Sequence, residues 1–344
     1  MHDTPADLPE SQELPWLNTV LSARFPDMQP AQLHWERFGA AYGFASSIYR
    51  VRWAVDGRTR TAVVKTWQVN APADLNEIHF YQNFPEPGVR LPTCYATGVS
   101  ADGRRAVLVL EDLGNTIQGD DLEQMDEKRA RLLAQGLAHL HASWLEHPRL
   151  SRFDWLPDRS VWDPEPDWFQ DRRALFLTRF PEQLTGLPRR LLGQLEAAPL
   201  HANARLAGTP RTLLHGDLHL DNLRFDAQDK PILLDWANPI SGPPALNLGE
   251  LLFRMAPRQT YEAVLESYLQ AFNRRASHNT SRRDLERALG GALLRQFARS
   301  TLGMARWQPA TPRQAALIQV SLQRACAAVA FWQTRDPALF QFLD

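Results

Sequence analysis

Cysteine is almost absent: Cys94 and Cys326 are the only two in 344 residues. A secreted fold stapled by disulfides needs more, so the expected setting is a reducing cytoplasm. The opening residues, Met1-His2-Asp3-Thr4-Pro5, carry neither the basic region nor the apolar stretch of a signal peptide. No apolar run approaches the length of a membrane span. Charge of one sign is not in excess either. The formal net charge is −1, so no nucleic-acid or membrane partner is expected. Arginine pairs such as Arg189-Arg190, Arg274-Arg275 and Arg282-Arg283 stand isolated and read as solvated. Lysine is the scarcest basic residue: only Lys65, Lys128 and Lys230 occur, and arginine supplies the rest. Residues 1–14 are rich in proline and acid and are expected to be loose. The length that remains allows two lobes with substantial cores.

What is present centres on one stretch, His215-Gly216-Asp217-Leu218-His219-Leu220-Asp221-Asn222, followed by Ile232-Leu233-Leu234-Asp235-Trp236. It holds an Asp, an Asn five residues later, and a second Asp that closes an apolar run of strand character. Phosphoryl transfer from ATP in kinase-like folds uses three such groups. One carboxylate orients the attacking hydroxyl and accepts its proton, while an amide and a second carboxylate hold Mg²⁺ against the phosphates. Asp217 then takes the base role, and Asn222 and Asp235 become the metal ligands.

A metal site is the sharper rival. In an extended strand, alternate side chains share a face, so His215, Asp217, His219 and Asp221 could converge as ligands of a metal-dependent hydrolase. That reading gives Asn222 and Asp235 no work. The kinase reading uses both and asks for a lysine and a glutamate upstream. Both occur. Thr61-Ala62-Val63-Val64-Lys65-Thr66-Trp67 reads as a strand with a lysine inside it. A lysine in an apolar strand of an arginine-biased chain suggests a point charge for phosphate. Glu77 follows in a helical pattern that starts near Asp74, taken as its N-cap. Paired with Glu77, Lys65 would face the α- and β-phosphates. Upstream again, Phe38 to Trp53 reads as strand, loop, strand. Gly39, Gly43 and Ser46 there can bring backbone N–H groups close to phosphate oxygens.

Two Asp-Gly pairs, Asp56-Gly57 and Asp102-Gly103, sit between strand-like runs and favour hairpins. Together they predict an antiparallel sheet of five strands, about 33–39, 46–55, 60–67, 94–100 and 105–111, interrupted by the Glu77 helix. Glu111-Asp112-Leu113-Gly114 then reads as a crossover, with Glu111 and Leu113 offering backbone groups to a nucleotide base. From Asp126 onward the apolar period turns helical. The fold class expected is α+β: a β-rich lobe over 1–112 and a larger, mostly helical lobe over 113–344.

Taken together, Lys65, Glu77, the Val109-Leu110-Glu111-Asp112-Leu113 hinge, His215-Gly216-Asp217 with Asn222, and Asp235 make the chain resemble the aminoglycoside phosphotransferase and choline kinase-like superfamily. The likeness runs from about Gly39 to about Leu252. It implies a two-lobed, protein-kinase-like fold, ATP or GTP with Mg²⁺ as cofactors, and a small-molecule acceptor rather than a protein. No extended segment for binding a peptide fits between Asp235 and Asn247. His-Gly-Asp, in place of the His-Arg-Asp of protein kinases, favours the small-molecule branch. His219 stands where protein kinases carry a lysine near the γ-phosphate, and His215 reads as structural. Two departures stand out. Asp235 is followed by Trp236-Ala237, and Asn247 stands where such kinases often have an Asp, which puts a helix-start hydrogen bond in question.

The resemblance also gives meaning to residues 145–214, an insertion that builds part of the acceptor site in these kinases. Asp154-Trp155, Trp162-Asp163, Glu165 and Asp167-Trp168 fall within it. They suit a cationic acceptor through cation–π contact and ion pairing. The plainer reading, helix packing with surface acids, is favoured, since tryptophan is commonly buried. A nucleotide-binding pseudokinase that serves as an interaction module is the remaining class. The retained Lys65, Glu77, Asp217, Asn222 and Asp235 argue against it.

Overall fold

The computed structural model describes residues 14–38 and 46–344. Gly39 and Gly43 of the expected phosphate loop lie outside the described residues, as does the N-terminal stretch before Leu14. The chain divides into two compact units. The first holds the chain up to Glu86, Arg90–Ile117 and the distant segment Ile232–Asn238. The second holds Pro87–Val89, Gln118–Pro231 and Pro239–Asp344.

The first unit is built on an antiparallel sheet of β1 (His34–Phe38), β2 (Ser46–Val55), β3 (Arg58–Gln68), β4 (Cys94–Val99) and β5 (Arg105–Glu111), in the order β1-β2-β3-β5-β4. The five expected strands are all present. The β2–β3 hairpin closes on Asp56 and Gly57, both at positive φ (50° and 72°). That is the conformation a tight two-residue turn needs and Asp-Gly tolerates. The second Asp-Gly pair behaves differently. Only Gly103 has positive φ, and the turn is longer, with Asp102 Oδ1 accepting from Ser100 Oγ and from the Arg104 backbone N–H. An Asp side chain that satisfies its own loop is an alternative to the two-residue hairpin.

Side chains alternate across a strand, and one sheet face carries Tyr49, Val51, Trp53, Ala62, Val64, Val107 and Val109. Helix α1 (Leu14–Arg24) covers that face with Leu17 and Leu21, each almost wholly buried. Burial of one such side chain contributes about 1.5–3 kcal/mol. The next position after Val64, Lys65, is thereby turned to the other face, where it meets Glu77 of α2 (Asn76–Asn83). Asp74 does not cap α2. Its carboxylate accepts from the backbone N–H groups of Asn70 and Ala71 at 2.7 and 2.8 Å, closing the 3₁₀ turn Pro72–Leu75 that precedes the helix.

Past the short strand β6 (Ile117–Gln118), the second unit is mostly helical. Its helices are α3 (Glu127–Ser143), α4 (Pro166–Arg179), α5 (Gly186–Gly193), α6 (Ala198–Leu206), α7 (Ala245–Glu250), α8 (Tyr261–Asn273), α9 (Arg282–Ala298) and α10 (Pro312–Arg335). Short strands β7 (Thr212–Leu214), β8 (Leu223–Phe225), β9 (Pro231–Leu233) and β10 (Ile240–Gly242) punctuate them, and β7 pairs antiparallel with β10. Asp126 caps α3 by accepting from the Arg129 N–H at 2.9 Å. The Gly290-Gly291 pair inside α9 costs helix propensity, but α6 runs against it. A Cβ on Gly291 would stand 2.7 Å from the Ala202 carbonyl oxygen.

Helix α10 is long and apolar enough by length and composition to cross a membrane. It holds no long uninterrupted apolar run, because Arg313, Arg324 and Arg335 punctuate the segment. Half of its most apolar stretch is buried within the fold, and those three arginines pair with Asp221, Asp121 and Glu262. It is a core helix.

Candidate functional site

Two clusters of the expected residues form, one in each unit. In the first, Lys65 Nζ lies 2.7 Å from Glu77 Oε2 and 2.8 Å from Asp235 Oδ1. Burial alone would lower the lysine pKa, but the two carboxylates outweigh it and hold the ammonium well above its ordinary value. Helix α2 grips the Asp235 segment twice. Glu77 accepts from the backbone N–H of Trp236. Three residues on, Phe80 stacks on the fully buried Trp236 ring at 4.0 Å with the planes 6° apart. Positions i and i+3 share a helix face, so one face of α2 holds both the charge and the ring. That is the work of the departure at Trp236. Asp235 itself has φ +57°, a left-handed conformation that costs a non-glycine residue about 1–2 kcal/mol.

Of the other expected nucleotide contacts in this unit, Ser46 opens β2 opposite Trp67. Glu111 closes β5, and its carboxylate accepts from Thr93 N–H and Oγ1, both at 3.0 Å. Leu113 accepts from the Thr116 N–H at 3.2 Å.

The second cluster is the loop from His215 to Asn222. Gly216 has φ +76°, which reverses the chain after β7. His215 is fully buried, and its Nδ1 faces the Asp217 N–H at 3.3 Å. Asn247 Oδ1 accepts from the His215 N–H at 2.9 Å, and Asn247 Nδ2 donates to Glu250 Oε2 at 3.0 Å. The Asn247 departure therefore concerns an anchor of the loop rather than a helix start. Asn222 Nδ2 donates to the Asp217 carbonyl at 3.0 Å. His219 Nε2 lies 3.8 Å from Asp217 Oδ2.

Sequence reasoning missed the partner of Asp217. Arg299, in the π-helical turn after α9, donates to Asp217 Oδ1, to Glu250 Oε1 at 2.9 Å and to the Gly216 carbonyl at 3.3 Å. No local pattern marks it. Burial pushes the Asp217 carboxyl upward, but Arg299, helped by His219 and His215, holds it below the ordinary carboxylate value. A carboxyl depressed in this way is ionised throughout the neutral range. Any activity that needs the ionised form is lost only as pH falls through the depressed pKa, below the usual carboxylate range. Arg299→Gln is expected to move the acid limb of kcat/KM to higher pH. A pH–rate profile of that variant superimposing on wild type would contradict the assignment.

The four-ligand metal site does not form. Asp221 spends Oδ1 on Arg313 and the Asp121 N–H, both at 2.8 Å, and Oδ2 on Arg313 at 3.0 Å. Its carbonyl accepts from Gln118 Nε2 at 2.6 Å. Among the described residues no group of three or more His, Cys, Asp or Glu is disposed to hold a metal ion. Asp221 is instead a bolt that fixes the loop.

Gly119 shows how tightly that bolt is drawn. A Cβ there would stand 2.3 Å from the Leu220 carbonyl. Gly119→Ala must displace the loop. Since a misplacement of about 1 Å can cost on the order of 10²-fold, a fall in kcat of that order is expected from steady-state kinetics.

The tryptophans at 155, 162 and 168 are only partly buried, which fits neither a full packing role nor a bare surface. Arg172 already lies over the Trp168 ring at 5.0 Å. The acids Asp154, Asp163, Glu165 and Asp167 are exposed.

Among solved structures, a choline kinase from Cryptosporidium parvum Iowa II has TM-score 0.58 at 10% identity, covering 95% of this chain and 98% of that one. A choline kinase from Streptococcus pneumoniae has TM-score 0.54 at 14% identity, covering 92% and 100%. The GDP and kanamycin complex of APH(2'')-IIIa has TM-score 0.51 at 16% identity, covering 92% and 99%. These likenesses establish a protein-kinase-like α+β fold. No curated protein matches the chain. Residues 43–290, most of the chain, match the phosphotransferase enzyme family. With that match, this chain belongs to the phosphotransferase enzyme family.

Proposed function

We propose that the chain moves the γ-phosphate of ATP or GTP, bound with Mg²⁺, to a hydroxyl of a small molecule. The observation that carries this is Asp217, an ionised and partly exposed carboxylate held in a rigid loop beside His219. In the proposed division of labour Asp217 orients the acceptor hydroxyl and takes its proton. His219 assists at the γ-phosphate or the acceptor. Lys65, fixed by Glu77, binds phosphate oxygens as a point charge. The magnesium ion supplies neutralisation of phosphate charge. The oxygen donors Asn222 and Asp235 suit such a hard cation. Gly39, Gly43 and Ser46 are proposed to cover the phosphates. The backbone near Glu111 and Leu113 is proposed to take the base. The lobes proposed are 1–112 for nucleotide and 113–344 for catalysis and acceptor.

The relatives in the fold support the reading by what they are: one was solved with GDP and kanamycin, and two are choline kinases. Aminoglycoside-, choline- and sugar-like alcohols form the starting panel of acceptors. Nucleotide binding is the direct test. Saturating Mg·ATP or Mg·GTP should raise the melting temperature, by about 2.7 kcal/mol of stabilisation at 100 times Kd. Without Mg²⁺ the shift should shrink. No thermal shift and no calorimetric heat with either nucleotide would remove the proposal.

A further inference from the structure

The surface beside Asp217 within the second unit is arginine-rich, and among the described residues Arg295, Arg159 and Arg172 have no carboxylate at ion-pair distance. Arg295 precedes Arg299 by four residues, so the two share a helix face about 6 Å apart along the axis. Arg299 is engaged with Asp217 and Glu250. Among the described residues Arg295 donates to a backbone oxygen alone, the Arg159 carbonyl at 2.8 Å. Among the described residues neither Arg295 nor Arg159 has a carboxylate at ion-pair distance. The one carboxylate next in sequence, Asp158, is taken by Arg211 at 2.9 Å. Arg172 repeats the pattern. It reaches the Leu302 carbonyl at 3.5 Å, three residues beyond Arg299, and among the described residues no carboxylate pairs with it.

Electrostatics agree with the geometry. Burial, followed by the charge of Arg159, pulls Arg295 down to about 10. It is still protonated at neutral pH, but it is held there at a cost. Burial and Arg306 lower Arg172 in the same way. Uncompensated guanidinium groups that are partly buried are costly to keep. An anion is what would balance them, and a planar guanidinium suits carboxylate or phosphate.

We propose that the acceptor carries an anionic group of its own, a carboxylate or a phosphate, which Arg295 and Arg159 hold while the acceptor hydroxyl reaches Asp217. The proposal rests on the phosphotransferase reading above and narrows its substrate class. The choline- and aminoglycoside-like members of the panel then become the poor substrates, because their cations would meet Arg295 instead of an acid. In the transfer itself the hydroxyl oxygen bonds to the γ-phosphorus and the β–γ bridging bond breaks. The nucleoside diphosphate leaves, and the hydroxyl proton passes to Asp217. The acceptor's anion takes no part beyond orientation.

The test uses matched pairs on the full chain: glycerol 3-phosphate against glycerol, and D-glucuronate against glucose, with kanamycin and choline beside them. Release of nucleoside diphosphate is followed with saturating Mg·ATP. The expected result is a kcat/KM at least tenfold higher for the anionic member of a pair. In Arg295→Gln that preference should collapse through KM rather than kcat. Turnover of the neutral or cationic compounds in preference to the anionic ones would overturn the proposal. So would an unchanged preference in Arg295→Gln. If no compound is turned over, calorimetry with inorganic phosphate on the Mg·ADP-bound protein decides. Binding that is lost in Arg295→Gln supports the proposal, and absence of heat, or binding kept in the variant, overturns it. A thermal shift with Mg·ATP separates the two levels, since it survives failure of this proposal but not failure of the phosphotransferase reading.

Discussion

Asp217→Asn is expected to lower kcat for phosphoryl transfer by about 10²–10⁴-fold, the usual contribution of a positioned base. The amide keeps the shape of the side chain but cannot take the hydroxyl proton. The loop should survive, because its anchors lie elsewhere: Asn247 on the His215 N–H, Asn222 on the Asp217 carbonyl, and Arg313 on Asp221. Mg·ATP affinity should therefore stay near that of wild type. Steady-state kinetics with nucleotide titration by calorimetry checks both halves. A variant with wild-type kcat would take the base role away from Asp217. A variant that fails to bind nucleotide would show that the change reached beyond the chemistry.

Lys65→Met is the second large effect, and it acts on two quantities. Glu77 is 3% exposed and Lys65 is its cation. Removing one partner of a buried pair typically costs about 3–5 kcal/mol, because the other charge is left without compensation. The denaturant midpoint should fall accordingly. Binding of Mg·ATP should weaken beyond what the lost stability explains, since the point charge proposed for the phosphates is gone. The double variant Lys65→Met with Glu77→Gln should regain part of the stability but none of the nucleotide affinity. If the double variant regained both, Lys65 would be a structural residue only.

Much of the first unit was legible in the sequence because its signals are local. Five β-rich runs and two Asp-Gly pairs define five strands, and alternation within β3 turns Lys65 away from the α1 core. The Lys65–Glu77 pair follows from a scarce lysine and a helix of the right place. Local signals also misled. Asp74 looked like the cap of α2, but its carboxylate found two nearer donors in the preceding turn. The second Asp-Gly pair did mark a hairpin, that of β4 and β5, but Asp102 closes it through a longer loop than the first.

In the second unit the loop from His215 to Asn222 was visible as a motif, whereas its supports were not. Arg299 meets Asp217 across 82 positions of sequence, and Arg313 meets Asp221 across 92. Nothing periodic marks either arginine among its neighbours. Asn247 could be read only as a departure until its amide was seen bridging His215 and Glu250. Trp236 likewise gained its meaning from a stacked ring in another part of the chain.

The central claim is that Asp217 directs a nucleotide's γ-phosphate onto a small-molecule hydroxyl. The most direct test follows γ-³²P-labelled ATP with Mg²⁺ and a fractionated pool of hydroxyl-bearing metabolites in a single turnover. With wild type the label is predicted to leave ATP and appear in a small phosphorylated product, with Asp217→Asn leaving it on the nucleotide. Label released only as inorganic phosphate, or passed to product equally by both proteins, would contradict the account.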